Sequence, residues 1–351
     1  MAGSLALFAA SLLVTLLAAR TFATHLDELG VRLGLPEAFV GLLTALAADG
    51  PEIASSLTAL VKGDRSVSLG VVVGSNLFNL AAMVGASALL VGYVRVRREA
   101  LLLEGTVAAL ASAIVAALVL GGIPVAVAMV LLAAVLLPYL ALLVRGAELA
   151  ERVPLPATVA GSLMRALSER TGVGEVVPPA ALPAGGDVPP AAARGVDRGP
   201  AGLHWRTPVF IAGSVLLVLG GSVGMVETAL SLATRWQVPS SAVGFLILAP
   251  LTSIPNAATA MRLGIAGRGS ALVSDTFNSN TINLVAGVAV PALFISVGNG
   301  SASVVFDLLW LTVMTGLVLW LLAQPSGIGR RGGAVLVLLY GTFVVIELLL
   351  G

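Results

Sequence analysis

Residues 51–79 recur as residues 255–283 without a gap. Pro51-Glu52 answers to Pro255-Asn256, Gly63 to Gly267, and Ser66 to Ser270. Ser75-Asn76-Leu77-Phe78-Asn79 answers to Ser279-Asn280-Thr281-Ile282-Asn283. Each copy opens with a Pro and a polar group inside an apolar run, then sets down a Ser and two Asn further along. Two interrupted apolar segments at matching places constrain the fold to two related halves with a polar site between them.

Composition says which solvent surrounds those halves. Of 351 residues 58% are hydrophobic and 11% charged, more apolar surface than water tolerates, so the expected environment is lipid. A net charge of +1 gives no electrostatic footprint for nucleic acid. There is no Cys, which removes disulfides, thiolate metal sites and Cys nucleophiles together. Only His25 and His204 are present, both in predicted loops, so a His-based zinc site or triad has little to draw on. No organic cofactor is expected. The expected partners are inorganic cations and the bilayer itself.

A span needs about 20 apolar residues to cross roughly 30 Å of hydrocarbon. Ten candidates meet that need, at 4–20, 38–62, 66–94, 100–120, 123–144, 207–227, 240–264, 269–297, 303–323 and 332–350. Leu5–Ala19 has no Lys or Arg before it and Arg20 behind it, the wrong charge order for a cleaved signal, so it is taken as the first span. Gly121-Gly122-Ile123-Pro124 reads as a tight reversal between the fourth and fifth. With the N-terminus outside, Arg20, Arg32, Arg95, Arg97, Arg98, the Arg-rich stretch 145–206, Arg262, Arg268, Arg330 and Arg331 all fall inside. Lys62, Arg65 and Arg235 remain outside. The positive-inside rule therefore favours ten spans in a cell membrane with both termini outside. Five spans per half is an odd number, so the second half enters upside down.

The expected fold is an all-α membrane protein of two inverted five-helix repeats, 1–150 and 207–351, with helices 2 and 7 broken. The stretch 151–206 is expected to be a cytoplasmic linker. Within it Pro178–Arg198, rich in Pro, Ala and Gly, reads as disordered, and Leu155–Arg170 as a short surface helix.

Helix breaks are expected at Gly50-Pro51 and at Pro255, because Pro lacks the N–H donor and crowds the preceding turn. A broken helix within lipid frees carbonyls, tolerable where they line a cavity. Ser75 and Asn79 share a helix face, as do Ser279 and Asn283, with Asp275 one turn earlier. Asp49, Glu52 and Asp275 bring three carboxylates to this set, and hard oxygen donors suit Ca²⁺, Na⁺ or H⁺ better than soft metals. An ionised carboxylate at mid-bilayer costs on the order of 3 kcal/mol or more, which marks these groups as functional candidates. Against that, Asp49 also suits a helix N-cap, Asp275 an inner mouth, and Ser and Asn often only bond neighbouring helices. Glu104, Glu227, Asp307 and Glu347 have no counterpart in the repeat and are expected at interfaces or loop edges. Lys62, Asp64 and Arg65 read as a solvated turn.

These residues resemble the cation/calcium exchanger superfamily, which includes the sodium/calcium exchangers. Its inverted repeats carry Gly-Thr-Ser-x-Pro-Glu and then Gly-Asn-x-x-Gly-Ser-Asn-x-x-Asn. The first copy here reads Ala47-Ala48-Asp49-Gly50-Pro51-Glu52, then Gly70-Val71-Val72-Val73-Gly74-Ser75-Asn76-Leu77-Phe78-Asn79. The second reads Leu251-Thr252-Ser253-Ile254-Pro255-Asn256, then Ser274-Asp275-Thr276-Phe277-Asn278-Ser279-Asn280-Thr281-Ile282-Asn283. The resemblance implies an alternating-access antiporter exchanging Ca²⁺ or a related cation for Na⁺ or H⁺. It implies cation ligands at Glu52, Ser75, Asn79, Ser253, Asn256, Ser279 and Asn283, with Thr252 beside them. Three departures stand out. Asn256 occupies the place of an acid, Ala48-Asp49 that of Thr-Ser, and Asp275 that of Asn. The missing acid weakens the field for a divalent ion, which Asp49 or Asp275 would restore unless they serve as proton sites. A monovalent cation/proton exchanger is the alternative. An intramembrane aspartyl protease using Asp49 and Asp275 lacks its Gly-x-Gly-Asp stretch, and a non-transporting membrane scaffold leaves the repeat without a purpose.

Overall fold

The computed structural model describes residues 2–33, 37–152, 206–239, 242–297 and 301–350. The expected linker falls almost wholly outside these residues. The first half contains α1 (Ala2–Arg32), α2 (Glu37–Ala48), α3 (Gly50–Val61), α4 (Arg65–Asn79), a π-helical turn at Leu80–Ala86, α5 (Ser87–Val91), α6 (Arg98–Val119) and α7 (Val125–Arg152). The second contains α8 (Arg206–Trp236), a π-helical segment at Val243–Leu248, α9 (Ala249–Ile265), α10 (Gly269–Leu284), a π-helical turn at Val285–Ala289, α11 (Ala302–Ala323) and α12 (Arg330–Leu350). A two-residue ladder, β1 (Tyr93–Val94) against β2 (Ile328–Gly329), ties the halves together at one end.

The chain is an all-helical membrane protein. Among the described residues eight helices are long and apolar enough to cross a bilayer. The other two expected spans are α2–α3 and the stretch from Gly269 to Ala289. They fall short by composition or length because they carry the buried polar residues, and neighbouring helices screen these from lipid: Arg65–Val91, packed against both, is 89% buried.

The halves are inverted. Gly221 of α8 lies against Thr15 of α1 and Gly224 against Ser11, so the two first helices run antiparallel. Small residues there let the backbones approach closely. Both helices are longer than their expected spans, at 31 residues or about 46 Å. Arg20, Asp27 and Glu28 end the apolar run in α1 but supply no helix-stopping Gly or Pro, so the helix continues.

The repeat also fixes how helices end. Gly63 and Gly267 occupy matched positions with φ of 86° and 72°, a left-handed conformation that favours Gly. At the first, Asp64 N–H donates to Ala59 O; at the second, Arg268 N–H donates to Leu263 O. Both are Schellman closures, turning α3 into α4 and α9 into α10 in the same way.

The expected breaks differ from one another. The second span is interrupted at one residue, Asp49, whose backbone stays near helical (φ −79°, ψ −1°). Pro51 cannot return an N–H to Ala47, so the turn opens there. In the seventh span the irregularity is π-helical and lies upstream, at Val243–Leu248. At Pro255 itself α9 is continuous, so Pro255 is not a break. Close packing surrounds the π-helical segment upstream. A Cβ on Gly74 would stand 2.6 Å from Phe245 Cα, and one on Gly244 2.6 Å from Val67 O. The π turns after Asn79 and Asn283 are matched across the repeat, and the sequence reading missed both; such turns often mark functional positions.

Candidate functional site

The four segments of the repeat converge at the centre of the molecule. Asn76 Nδ2 donates to Asn280 O at 3.1 Å, and Asn280 Nδ2 donates to Asn76 O at 3.2 Å. The two residues are 204 positions apart, the repeat offset, so each bonds its own counterpart and a pseudo-two-fold axis passes between them. Neither was singled out as a site residue, although the matched Ser-Asn pairs carried the signal.

Around that axis a second pair of bonds is related by the same symmetry. Ser253 Oγ donates to Glu52 Oε1 at 2.8 Å, and Asn256 Nδ2 donates to Asp49 Oδ1 at 2.7 Å. Asp49 corresponds to Ser253 and Glu52 to Asn256, so one contact maps onto the other. Both carboxyls thus come from the α2–α3 junction, and α9 answers each with a neutral group. Asp49 is 1% exposed and Glu52 fully buried, and neither forms an ion pair with any of the described residues.

Beyond this the symmetry fails. Ser279 Oγ donates to Asp49 Oδ1 at 2.6 Å, and Asn79 Nδ2 donates to Ser279 Oγ and to Asn280 Oδ1, both at 3.1 Å. The mirrored set would join Ser75 to Ser253, and Asn283 to Ser75 and Asn76. Instead Ser75 Oγ, Asn76 Oδ1 and both amide atoms of Asn283 are buried without a hydrogen-bond partner, as is Glu52 Oε2. Asp49 Oδ2 and Asn79 Oδ1 are unpartnered too. A buried polar group left without a partner costs about 1–3 kcal/mol. Among the described residues one side of the axis therefore carries more of the hydrogen bonds, and the other more of the unpartnered polar atoms.

The sequence-predicted residues divide accordingly. Asp49, Asn256, Ser279 and Asn79 form one bonded network and Glu52 with Ser253 a separate bonded pair, while Ser75 and Asn283 are buried with no side-chain bond among the described residues. Thr252 turns its hydroxyl back to Leu248 O (2.9 Å) and Ala249 O (3.2 Å) of its own helix. Asp275 is half-buried, near enough to Asp49 for their charges to interact. Next to it, Ser274 Oγ donates to Glu104 Oε2 at 2.6 Å, and Tyr139 Oη donates to Asn278 Oδ1 at 2.7 Å, fastening α10 to α6 and α7. Glu104 is thus an interface residue, as expected. Glu227 pairs with Lys62 at an exposed helix end.

Two upside-down halves clasping buried, uncompensated carboxyls between interrupted helices define a membrane transport protein. The family described as "Sodium/calcium exchanger protein" matches residues 3–147 and again 207–349, so the chain belongs to the sodium/calcium exchanger family. No curated protein sequence matches. Among solved structures, native YfkE aligns with a TM-score of 0.59 at 16% identity, covering 97% of this chain and 92% of that one. The sodium-calcium exchanger NCX_Mj, soaked with 10 mM Na⁺ and zero Ca²⁺, aligns at 0.55 and 17% identity over 97% and 98%. The same exchanger soaked with 2.5 mM Na⁺ and 1 mM Sr²⁺ aligns at 0.53 and 16% over 97% of each chain. At this identity the likeness is one of fold.

Proposed function

We propose that the chain is a secondary antiporter that exchanges Ca²⁺, or a related cation, for Na⁺ or H⁺ by alternating access. A single observation carries the reading. Glu52 and Asp49 lie side by side at the pseudo-two-fold centre, buried and unmet by any basic side chain, with unpartnered oxygens of Ser75, Asn76 and Asn79 around them. Two carboxylates inside a membrane protein need protons or cations to offset their charge. Oxygen ligands alone suit Ca²⁺, Na⁺ or H⁺. Asp49, Glu52, Ser75, Asn79, Ser253, Asn256, Ser279 and Asn283 form the proposed site, with Thr252 and Asp275 at its margin. The solved NCX_Mj structures were soaked with Na⁺ and Sr²⁺, ions of the same character.

The missing acid at Asn256 does not leave the site one charge short. Asn256 bonds Asp49, so the negative charge sits across that contact, on the other repeat. The amide at Asn256 is also what favours a second reading, a monovalent cation/proton exchanger. We place the protein in the cell membrane with both termini outside, 1–150 and 207–351 as the inverted repeats, and 151–206 as a cytoplasmic linker.

Proteoliposomes with Ca²⁺, Na⁺, K⁺ and H⁺ gradients imposed separately test this. Ca²⁺ flux driven by Na⁺ or H⁺, lost in Glu52→Gln, is expected. Flux that needs a pH gradient and ignores Ca²⁺ would select the second reading. No gradient-driven flux of any of these ions would remove the antiporter reading.

A further inference from the structure

Two acids expected at interfaces or loop edges prove to be buried together, outside the bonded residues of the central site. Asp307, in the second turn of α11, is 7% exposed, and Glu347, in the last turn of α12, is 2% exposed. Their carboxyl groups lie within hydrogen-bonding reach of one another. Among the described residues Asp307 Oδ1 and Glu347 Oε1 are both buried without a donor, and neither acid forms an ion pair. Two carboxyl oxygens facing each other cannot bond unless a proton sits between them.

We propose that Asp307 and Glu347 form a proton-binding site that ties the outer ends of α11 and α12 together, separate from the transported ion. A metal ion is the weaker occupant, since Ca²⁺ takes six or more oxygens and among the described residues only Asp307 Oδ1 and Glu347 Oε1 are unpartnered here. Other titratable groups on the packed elements are Tyr340, Arg330 and Arg331 on α12, Arg98, Glu99 and Glu104 on α6, and Arg65 on α4. Tyr340 is engaged elsewhere, donating to Phe245 O at 3.5 Å. Arg330 reaches Leu89 O at the opposite end of α12. Gly105 of α6 meets Leu319 of α11, which puts the charged start of α6 at that opposite end too.

The proton has a route to influence transport. α12 lies against two of the three π-helical segments that flank the central site. A Cβ on Gly85 would stand 3.0 Å from Leu336 Cβ, and Phe343 stacks edge-on to Phe245 with centroids 5.5 Å apart. A change in how the end of α12 is held therefore reaches the turns that follow Asn79 and precede Thr252.

The test is thermal unfolding of the detergent-solubilised full chain between pH 5 and 9, with gradient-driven flux measured alongside. Wild type should lose melting temperature as pH rises and the shared proton leaves, because two carboxylates then repel. Glu347→Gln, which supplies its own N–H, should flatten that fall while leaving flux at low pH unchanged. Asp307→Asn should do the same and serves if the first variant fails to fold. A pH dependence identical to wild type in both variants would overturn the proposal. So would a rise in melting temperature with millimolar Ca²⁺ or Na⁺ in Glu52→Gln that disappears in Glu52→Gln/Glu347→Gln, since the pair would then hold a metal ion.

Discussion

The two repeats share a backbone plan and diverge in what their polar groups do. In both, a Schellman glycine turns one helix into the next, a Ser and an Asn follow on one face, and a π-helical turn closes the segment. Yet Asn79 makes two hydrogen bonds while its counterpart Asn283 makes none, and Ser279 holds Asp49 while its counterpart Ser75 holds nothing. Both carboxyls sit on the first repeat; the second supplies a hydroxyl and an amide. Equivalent halves would bind an ion on the axis. Among the described residues the asymmetry concentrates unpartnered atoms on the flank of Glu52, Ser75 and Asn283, while the flank of Asp49 and Asn79 carries more of the bonds and keeps only Asp49 Oδ2 and Asn79 Oδ1 without a partner.

The comparison breaks most sharply at the Glu52/Asn256 pair. Glu52→Gln is expected to lower Ca²⁺-dependent flux by about 100-fold or more, since losing a charged ligand removes roughly 3 kcal/mol. Asn256→Gln, which keeps an amide, should cost less than about tenfold. Initial rates in proteoliposomes measure both, and equal losses would show that the halves contribute alike.

Moving the charge back across the axis sharpens the same point. Asp49→Ser should lose flux nearly as far as Glu52→Gln. Asp49→Ser/Asn256→Glu restores both the count of carboxylates and the Ser–Glu contact already seen at Ser253–Glu52. Flux in the double variant should recover to within about tenfold of wild type. A double variant no better than Asp49→Ser would mean that Asp49 acts through its bonds to Ser279 and Asn256 rather than through its charge.

Asn79 and Asn283 separate a site residue held by hydrogen bonds from one held by none among the described residues. Asn79→Ala removes two buried hydrogen bonds and should destabilise the protein by about 1–3 kcal/mol. Asn283→Ala removes no bond and an unpartnered group, so its melting temperature should stay near that of wild type while cation affinity falls. Melting curves with and without Ca²⁺ decide this, and the reverse pattern would exchange the roles assigned to the two flanks.

Much of this organisation was legible in the chain. The repeat offset, read from Pro51, Gly63, Ser75 and Asn79 alone, predicted two halves, and the bond between Asn76 and Asn280 falls on that offset. Legibility ended where register between distant helices takes over. How closely α4 approaches Val243–Leu248 is set at Gly74 and Gly244, which do not announce it locally. Pro255 looked like a helix stop for the same reason: propensity speaks for one segment, whereas packing against a neighbour decides between bending and holding. The pairing of Asp307 with Glu347 was invisible because neither has a counterpart in the repeat to draw attention to it.

The smallest expected effect tests what the halves still share. Gly63 and Gly267 have open space around a would-be Cβ, so an alanine at either meets no clash and pays only for its left-handed backbone. That conformation costs a non-Gly residue about 1 kcal/mol. Gly63→Ala and Gly267→Ala should therefore lower stability by the same small amount, each leaving cation affinity untouched, and the double variant should show their sum. Equal and additive losses in melting experiments would confirm that the turns are equivalent and independent, so that the asymmetry begins beyond them, at the side chains facing the axis. A much larger loss at one glycine would place the divergence in the backbone itself.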